Sequence, residues 1–355
     1  MRRPCEVRYR GVRSLRRWSV IAVVAVGSSW LAGCTAARDT LGTNSSPCFR
    51  ALALAADAVH DRGVFTGVRL VSDSTFAKVH GIEAIIHFAA SIVVPDSVRD
   101  PLSYYRNNTV NSRALIECAI KNDVRHFIFS STAAVYGNPA QIPVREDSPT
   151  QPISPYGWSK LMTEIMLRDT SNAHGLNHVI LRYFNVAGAD PKGRTGQSTD
   201  GATHLIKVAV ETALGSRPKL NVFGTDYQTP DGTCIRDYIH VSDLVLAHSD
   251  ALLHLRSGAP SLTLNCGYGH GFSVREVIEA VKHASGVDFK VENAARREGD
   301  PAQIVADAMQ IRQTLKWQPR FADLSTIVSH ALAWERELMG RRAAPGVNRV
   351  QFERA

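Results

Sequence analysis

No two cysteines of this 355-residue chain stand at CxxC spacing, and no cysteine–histidine group has the spacing of a structural zinc site. The six cysteines, Cys5, Cys34, Cys48, Cys118, Cys234 and Cys266, are scattered, which predicts free thiols, a reducing compartment and no metal. A basic stripe is missing too. Of the net charge of +8, residues 1–17 account for +6 with seven arginines against one glutamate, so the remainder is close to neutral at +2. That removes the main support for a nucleic-acid partner. Long apolar runs are lacking as well: the stretch around WSVIAVVAV is too short to span a bilayer as a stable helix. There is no internal repeat and no low-complexity segment. The early glycines, Gly11, Gly27, Gly33, Gly42, Gly63 and Gly67, nowhere show GxGxxG or GxxGxxG spacing.

What is present is ordinary soluble composition, 44% hydrophobic and 21% charged, in a length that suits one large domain or two smaller ones. From about residue 80 the runs EAIIHF, VRHFIFS and HVILRYF alternate with helical patterns, the rhythm of an α/β fold with a parallel sheet and helices on both faces. Past Asn185 the strands shorten (LNVFG, LTLNCG) between helices, which predicts a smaller second lobe. The expected organisation is an atypical region over 1–70, a dinucleotide-binding type of domain over 71–185, a substrate lobe over 186–340 with elements returning to the first, and a tail over 341–355.

Residues 1–70 admit three readings. RSLRRWSVIAVVAVGSSWLAGC has the form of a lipoprotein signal ending in Leu31-Ala32-Gly33-Cys34. WSVIAVVAV, β-branched and bounded by Gly27, also reads as a buried parallel strand. The third reading is a displaced frame or divergent start with no functional design.

The chemistry concentrates in SPYGWSK, residues 154–160. Proline suits a first helical turn, so a helix is expected to open at Pro155, with Tyr156 and Lys160 on one face. An ammonium beside a phenol favours the phenolate, which predicts a tyrosine shifted toward neutral pH and able to act as a general base. Upstream, the strand FIFSST delivers Ser130, Ser131 and Thr132 at its carboxyl end, where open α/β sheets bind ligands. The three hydroxyls are expected to face the crevice that the tyrosine faces. Alone, SST reads more readily as a strand-end turn and YxxxK more readily as a surface pair; together they are far more specific.

With HFAASIVVPDSV, YYRNNTVNS, FIFSSTAAVYG, SPYGWSKLMTE, LRYFNVAGADPKGRTGQ, DGTCIRDYIHVSDL, LNCGYGHGFSVREV and RREGDPAQIVAD in this order, the chain over about residues 76–340 resembles the UDP-glucose 4-epimerases of the extended short-chain dehydrogenase/reductase superfamily. The resemblance implies a Rossmann-like doubly wound sheet, tightly held NAD, a UDP-sugar substrate, a homodimer and a cytoplasmic setting. It implies that Tyr156 takes the proton of the sugar 4-hydroxyl, that Lys160 holds the nicotinamide ribose and that Thr132 orients or shuttles the proton. It places Phe88, Ala89, Ala90, Ser91, Ile92, Asn107, Tyr156, Lys160 and Phe184 at the cofactor. Thr132, Asn185, His204, Leu205, Arg236, Arg297 and Asp300 fall at the UDP-sugar, with the two arginines suited to clamp a diphosphate. Ile304 matches the position that gates an N-acetyl group. Related 4,6-dehydratases carry an acid after the Ser/Thr, where this chain has Ala133 and Ala134, so epimerisation is favoured over dehydration. The chain departs from the family pattern at Ile92, where a lysine is frequent, and in having neither the glycine-rich turn for the NAD pyrophosphate nor a clear acid for the adenine ribose. That departure sets beside the epimerase a second expectation: a non-catalytic homologue that binds UDP-sugar alone.

Overall fold

The computed structural model describes residues 20–23, 82–199, 201–297 and 300–343, with backbone alone for 20–23 and Ala343. The chain begins with strands β1 (Val20–Val23) and β2 (Ala84–His87), then helices α1 (Val94–Arg99) and α2 (Pro101–Tyr104), a π-helical turn (Tyr105–Val110) and α3 (Asn111–Lys121). Strand β3 (His126–Thr132) runs into a 3-10 turn (Ala133–Tyr136), followed by α4 (Pro155–His174), β4 (Asn177–Tyr183) and β5 (Asn185–Ala187). Then come α5 (Leu205–Ala213), β6 (Leu220–Phe223), β7 (Ile235–His240), α6 (Val241–Arg256), β8 (Leu262–Cys266) and β9 (Gly271–Ser273). The last elements are α7 (Val274–Ser285), β10 (Val291–Ala294), β11 (Gln303–Ile304), α8 (Met309–Leu315) and α9 (Leu324–Ala343).

The main sheet is parallel throughout, in the order β1-β2-β3-β4-β8. Its inner strands carry continuous apolar runs because both faces are covered. Alternate residues separate cleanly. Ile85, Phe127, Phe129 and Ile180 pack with Leu115 and Ile116 of α3 and Leu167 of α4. Ala84, Ile86, Ile128, Val179 and Leu181 face the other way, onto Leu244, Ala247 and Ala251 of α6. Two small sheets, β10-β6 and β11-β7-β5 with β9 antiparallel to β7, lie beside it.

Of the three readings of the N-terminal region, the backbone follows the strand: Val20–Val23 pairs parallel with Ala84–His87, residue for residue. That is the place beside the HFAAS strand that a first strand must take. The LAGC sequence, the early glycines and the tail beyond residue 343 lie outside the described residues; residues 341–343 continue helix α9. Among the described residues no helix is long and apolar enough to cross a membrane.

Helix α4 starts where the sequence predicts. Ser154 caps it, its side chain accepting from Gly157 N at 3.2 Å, with Pro155 in the first turn, and Gly175 ends it in the left-handed conformation at φ 70°. The cap seats the first turn directly on the strand end. A Cβ on Gly157 would lie 2.7 Å from the Ala134 carbonyl oxygen, so only glycine lets the helix approach the 3-10 turn this closely.

Candidate active site

The carboxyl end of β3 and the first turns of α4 bring Thr132, Tyr156 and Lys160 together, as the sequence predicts. Thr132 caps the 3-10 turn through Ala134 N at 3.1 Å, and its side chain stands near enough to the Tyr156 phenol to favour the phenolate. Lys160 is buried; its ammonium donates to the Ser130 carbonyl at 2.9 Å and sits 4.9 Å from the centre of the Phe129 ring.

The electrostatics correct one expectation. Tyr156 is not drawn toward neutral pH: burial raises its pKa, and the nearby Thr132 side chain recovers only part of the shift. The lysine is the group that moves, to about 7, because burial disfavours its charge more than Glu164 one turn away supports it. Near neutral pH the ammonium is therefore only partly formed, which is too little charge to offset the desolvation of the phenol.

A second correction concerns the three hydroxyls. Only Thr132 faces the crevice. Ser131 and its neighbours on the strand alternate between faces, so Ser131 Oγ points under the sheet end and donates to Glu164 Oε1 at 2.5 Å. Ser130 Oγ meets His248 Nε2 of α6 at 3.3 Å. His248 is kept neutral by burial, at about 4, and its ring lies 4.7 Å from that of Phe88.

Phe88, Ala89, Ala90, Ser91 and Ile92 form the loop that leaves β2. Its shape is set by a residue that the sequence reading passed over. Asn108, in the π-helical turn, accepts from Ser91 N at 2.8 Å, donates to Ser91 O at 2.9 Å and reaches Ser159 Oγ of α4 at 3.0 Å. Asn107 donates to Ser91 Oγ at 3.0 Å. The π-turn, a feature that recurs at functional sites, thus ties the loop to the residue preceding Lys160. The only sequence signal was the Asn-Asn pair itself. Phe184 is buried with Ala133, Leu161 and Ile304, on the β4 side of the same region.

The remaining candidates divide into two groups. Asn185, His204 and Leu205 line one small pocket with Gln197, Lys207 and Glu335. His204, ahead of α5, is held neutral by burial and hydrogen-bonded to Gln197 at 2.9 Å. Arg236 and Arg297 meet through Asp300: Arg236 Nη2 lies 3.5 Å from its carboxylate, and its amide donates to the Arg297 carbonyl at 3.4 Å. The Arg297 guanidinium lies 3.8 Å from the Phe223 ring centre. Ile304 bridges the two parts, paired in register with Arg236 and buried against Phe184.

Comparison with known proteins bears directly on this arrangement. The model of the NAD dependent epimerase/dehydratase family matches residues 40–267. The UDP-glucose 4-epimerase of Azospirillum brasilense is 60% identical over 270 residues, 75% of this chain and 78% of that protein. Among solved structures, the UDP-glucose 4-epimerase from Brucella ovis in complex with NAD superposes with a TM-score of 0.75 at 36% identity, over 89% of this chain and 98% of that one. The enzyme from Stenotrophomonas maltophila with bound NAD and formylated UDP-arabinopyranose gives 0.77 at 33% identity, over 92% and 99%.

Proposed function

This chain belongs to the NAD dependent epimerase/dehydratase family, and on that footing we propose that it interconverts UDP-glucose and UDP-galactose through a transient 4-keto sugar, with tightly bound NAD. The observation that carries the reading is the convergence of Thr132 and Tyr156 beside a buried Lys160, followed by Ala133 and Ala134 where a dehydratase needs an acid.

The donor set at the end of β3 fits NAD. Lys160 has three ammonium donors, and among the described residues one hydrogen bond takes up one of them, leaving two for the hydroxyls of a ribose. Lys160 and Tyr156 would hold the nicotinamide ribose, with Phe88–Ile92, Asn107 and Phe184 around it; the segment where the family carries its pyrophosphate turn lies outside the described residues. Bound NAD supplies the hydride acceptor and donor for C4 of the sugar and a positive ring charge that favours the phenolate. Tyr156 takes the proton from the 4-hydroxyl and returns it to that oxygen once the 4-keto sugar has turned its other face, while Thr132 orients the phenol. Lys160 keeps the developing phenolate balanced. Asn185, His204, Leu205, Arg236, Arg297 and Asp300 hold the UDP-sugar, the two guanidiniums at the diphosphate. Residues 71–185 then serve the cofactor and 186–340 mainly the substrate.

The surface of the first half supports a homodimer. Trp158, Met162 and Ile165 stand exposed on α4 at i, i+4 and i+7, near exposed Val98, Leu102 and Val110, an apolar face suited to a second copy. The setting is cytoplasmic, where both NAD and UDP-sugars are found.

The test is to denature the purified full-length protein, assay the supernatant for NAD by mass spectrometry, and incubate the native protein with UDP-galactose. Released NAD and formation of UDP-glucose are expected. Folded protein that binds UDP but neither holds nor takes up NAD, and gives no turnover, would instead establish the UDP-sugar-binding homologue.

A further inference from the structure

Three side chains spaced four apart on α4 stand against three consecutive residues of β3. Tyr156 stands beside Thr132, Lys160 Nζ donates to Ser130 O at 2.9 Å, and Glu164 accepts from Ser131 Oγ at 2.5 Å. Positions i, i+4 and i+8 form one stripe of a helix, so the helix is pinned to the strand along its catalytic face. The reaction uses the first two residues and has no use for the third.

Glu164 is fully buried. Arg182 of β4 grips its carboxylate, with Nε at 3.0 and 3.2 Å from the two oxygens and Nη2 at 2.6 Å. Nη1 of Arg182 reaches on to the Tyr136 hydroxyl at 3.0 Å and the Glu146 carbonyl at 3.2 Å. One carboxylate therefore joins α4, β3, β4 and the 3-10 turn. A buried ion pair is a poor device for stability, since removing two charges from water costs several kcal/mol each and an apolar pair is often as good. Its directional hydrogen bonds are what an apolar pair lacks.

We propose that Glu164, held by Arg182 and Ser131, is a positioning residue that fixes the register of α4 on β3 so that Tyr156 meets Thr132 and Lys160 meets the Ser130 carbonyl. The inference rests on Tyr156, Thr132 and Lys160 being the reacting groups. A helix rises about 1.5 Å per residue, and misplacement of reacting atoms by about 1 Å can cost roughly 100-fold in rate. Small slips matter here. Glu164 is also the charge that supports the Lys160 ammonium from its own helix; from β2, His87 faces the lysine but is kept neutral by burial, at about 3. Tyr156 stands one turn away, Tyr183 of β4 faces Tyr156, and Arg182 and Tyr136 face Glu164.

The experiment compares Ser131→Ala and Glu164→Gln in the full-length protein with NAD present, measuring kcat, KM for UDP-galactose and the pH profile. It also follows the titration of Lys160 by NMR of its ε-methylene without substrate. S131A keeps the ion pair and loses the tie; kcat falls about tenfold or more with KM little changed. E164Q loses the charge as well, so Lys160 titrates about a unit or more lower and the high-pH limb of kcat moves down with it. Wild-type kcat in S131A together with an unmoved lysine in E164Q overturns the proposal. If E164Q does not fold, S131A decides alone. A folded wild type without turnover, or an active Y156F, sinks the reaction reading instead, and the lysine titration still tests the clamp.

Discussion

The two ends of the site are built on opposite principles. At the proton-transfer end, Lys160, Ser130, Ser131 and Glu164 are all buried, and every tie between helix and strand is already made. At the anion end, Arg236 and Arg297 meet through long contacts to Asp300, at 3.5 Å and 3.4 Å, with Asp300 exposed and Arg297 resting on Phe223. Proton transfer demands fixed geometry, so that end is rigid before any ligand arrives. Charge capture tolerates movement, and a diphosphate can complete what Asp300 only sketches.

The comparison is broken most severely by removing the phenol. Tyr156→Phe keeps the ring and deletes the proton carrier; kcat is expected to fall by about 10²–10⁴ with little change in KM, and a loss confined to KM would mean that Tyr156 only binds. Arg297→Met should do the opposite, raising KM for UDP-galactose by roughly ten- to a hundredfold while kcat stays within a few-fold. Equal losses in both parameters would show that the anion end is as much a part of the chemistry as the other.

Lys160→Met sharpens the contrast through stability. The lysine pKa falls from 10.5 free to about 7 folded, so between these values the unfolded chain holds the extra proton. The penalty for burying the lysine is thus complete below about pH 7 and fades as pH rises toward 10.5. The variant should be inactive yet more stable than the wild type by a few kcal/mol at pH 7, with the gap closing by pH 10 in denaturant titrations. A gap constant over that range would remove the buried charge from the account.

The sequence made the scaffold readable because it is locally encoded. VRHFIFS and HVILRYF are centred on the apolar runs FIF and VIL and became inner strands, and Ser154-Pro155 and Gly175 marked the two ends of α4. WSVIAVVAV was readable as a strand, although a signal-like reading matched the same letters. What escaped were groups whose meaning depends on distant partners: Glu164 with Arg182 and Ser131, Asn108 with Ser91, and His248 with Ser130, which lies 118 positions away. The direction of the Tyr156 shift escaped for a related reason. Proximity of Lys160 follows from helical spacing, whereas the desolvation that outweighs it is a property of the packed core.

The most direct test of the central claim uses UDP-galactose carrying deuterium at C4, incubated with the full-length protein in ordinary water, with the product examined by NMR. If the sugar is oxidised and reduced again at one bound nicotinamide, UDP-glucose forms with the deuterium still on C4. Turnover with the label lost to solvent, or folded protein that leaves the substrate unchanged, would contradict it.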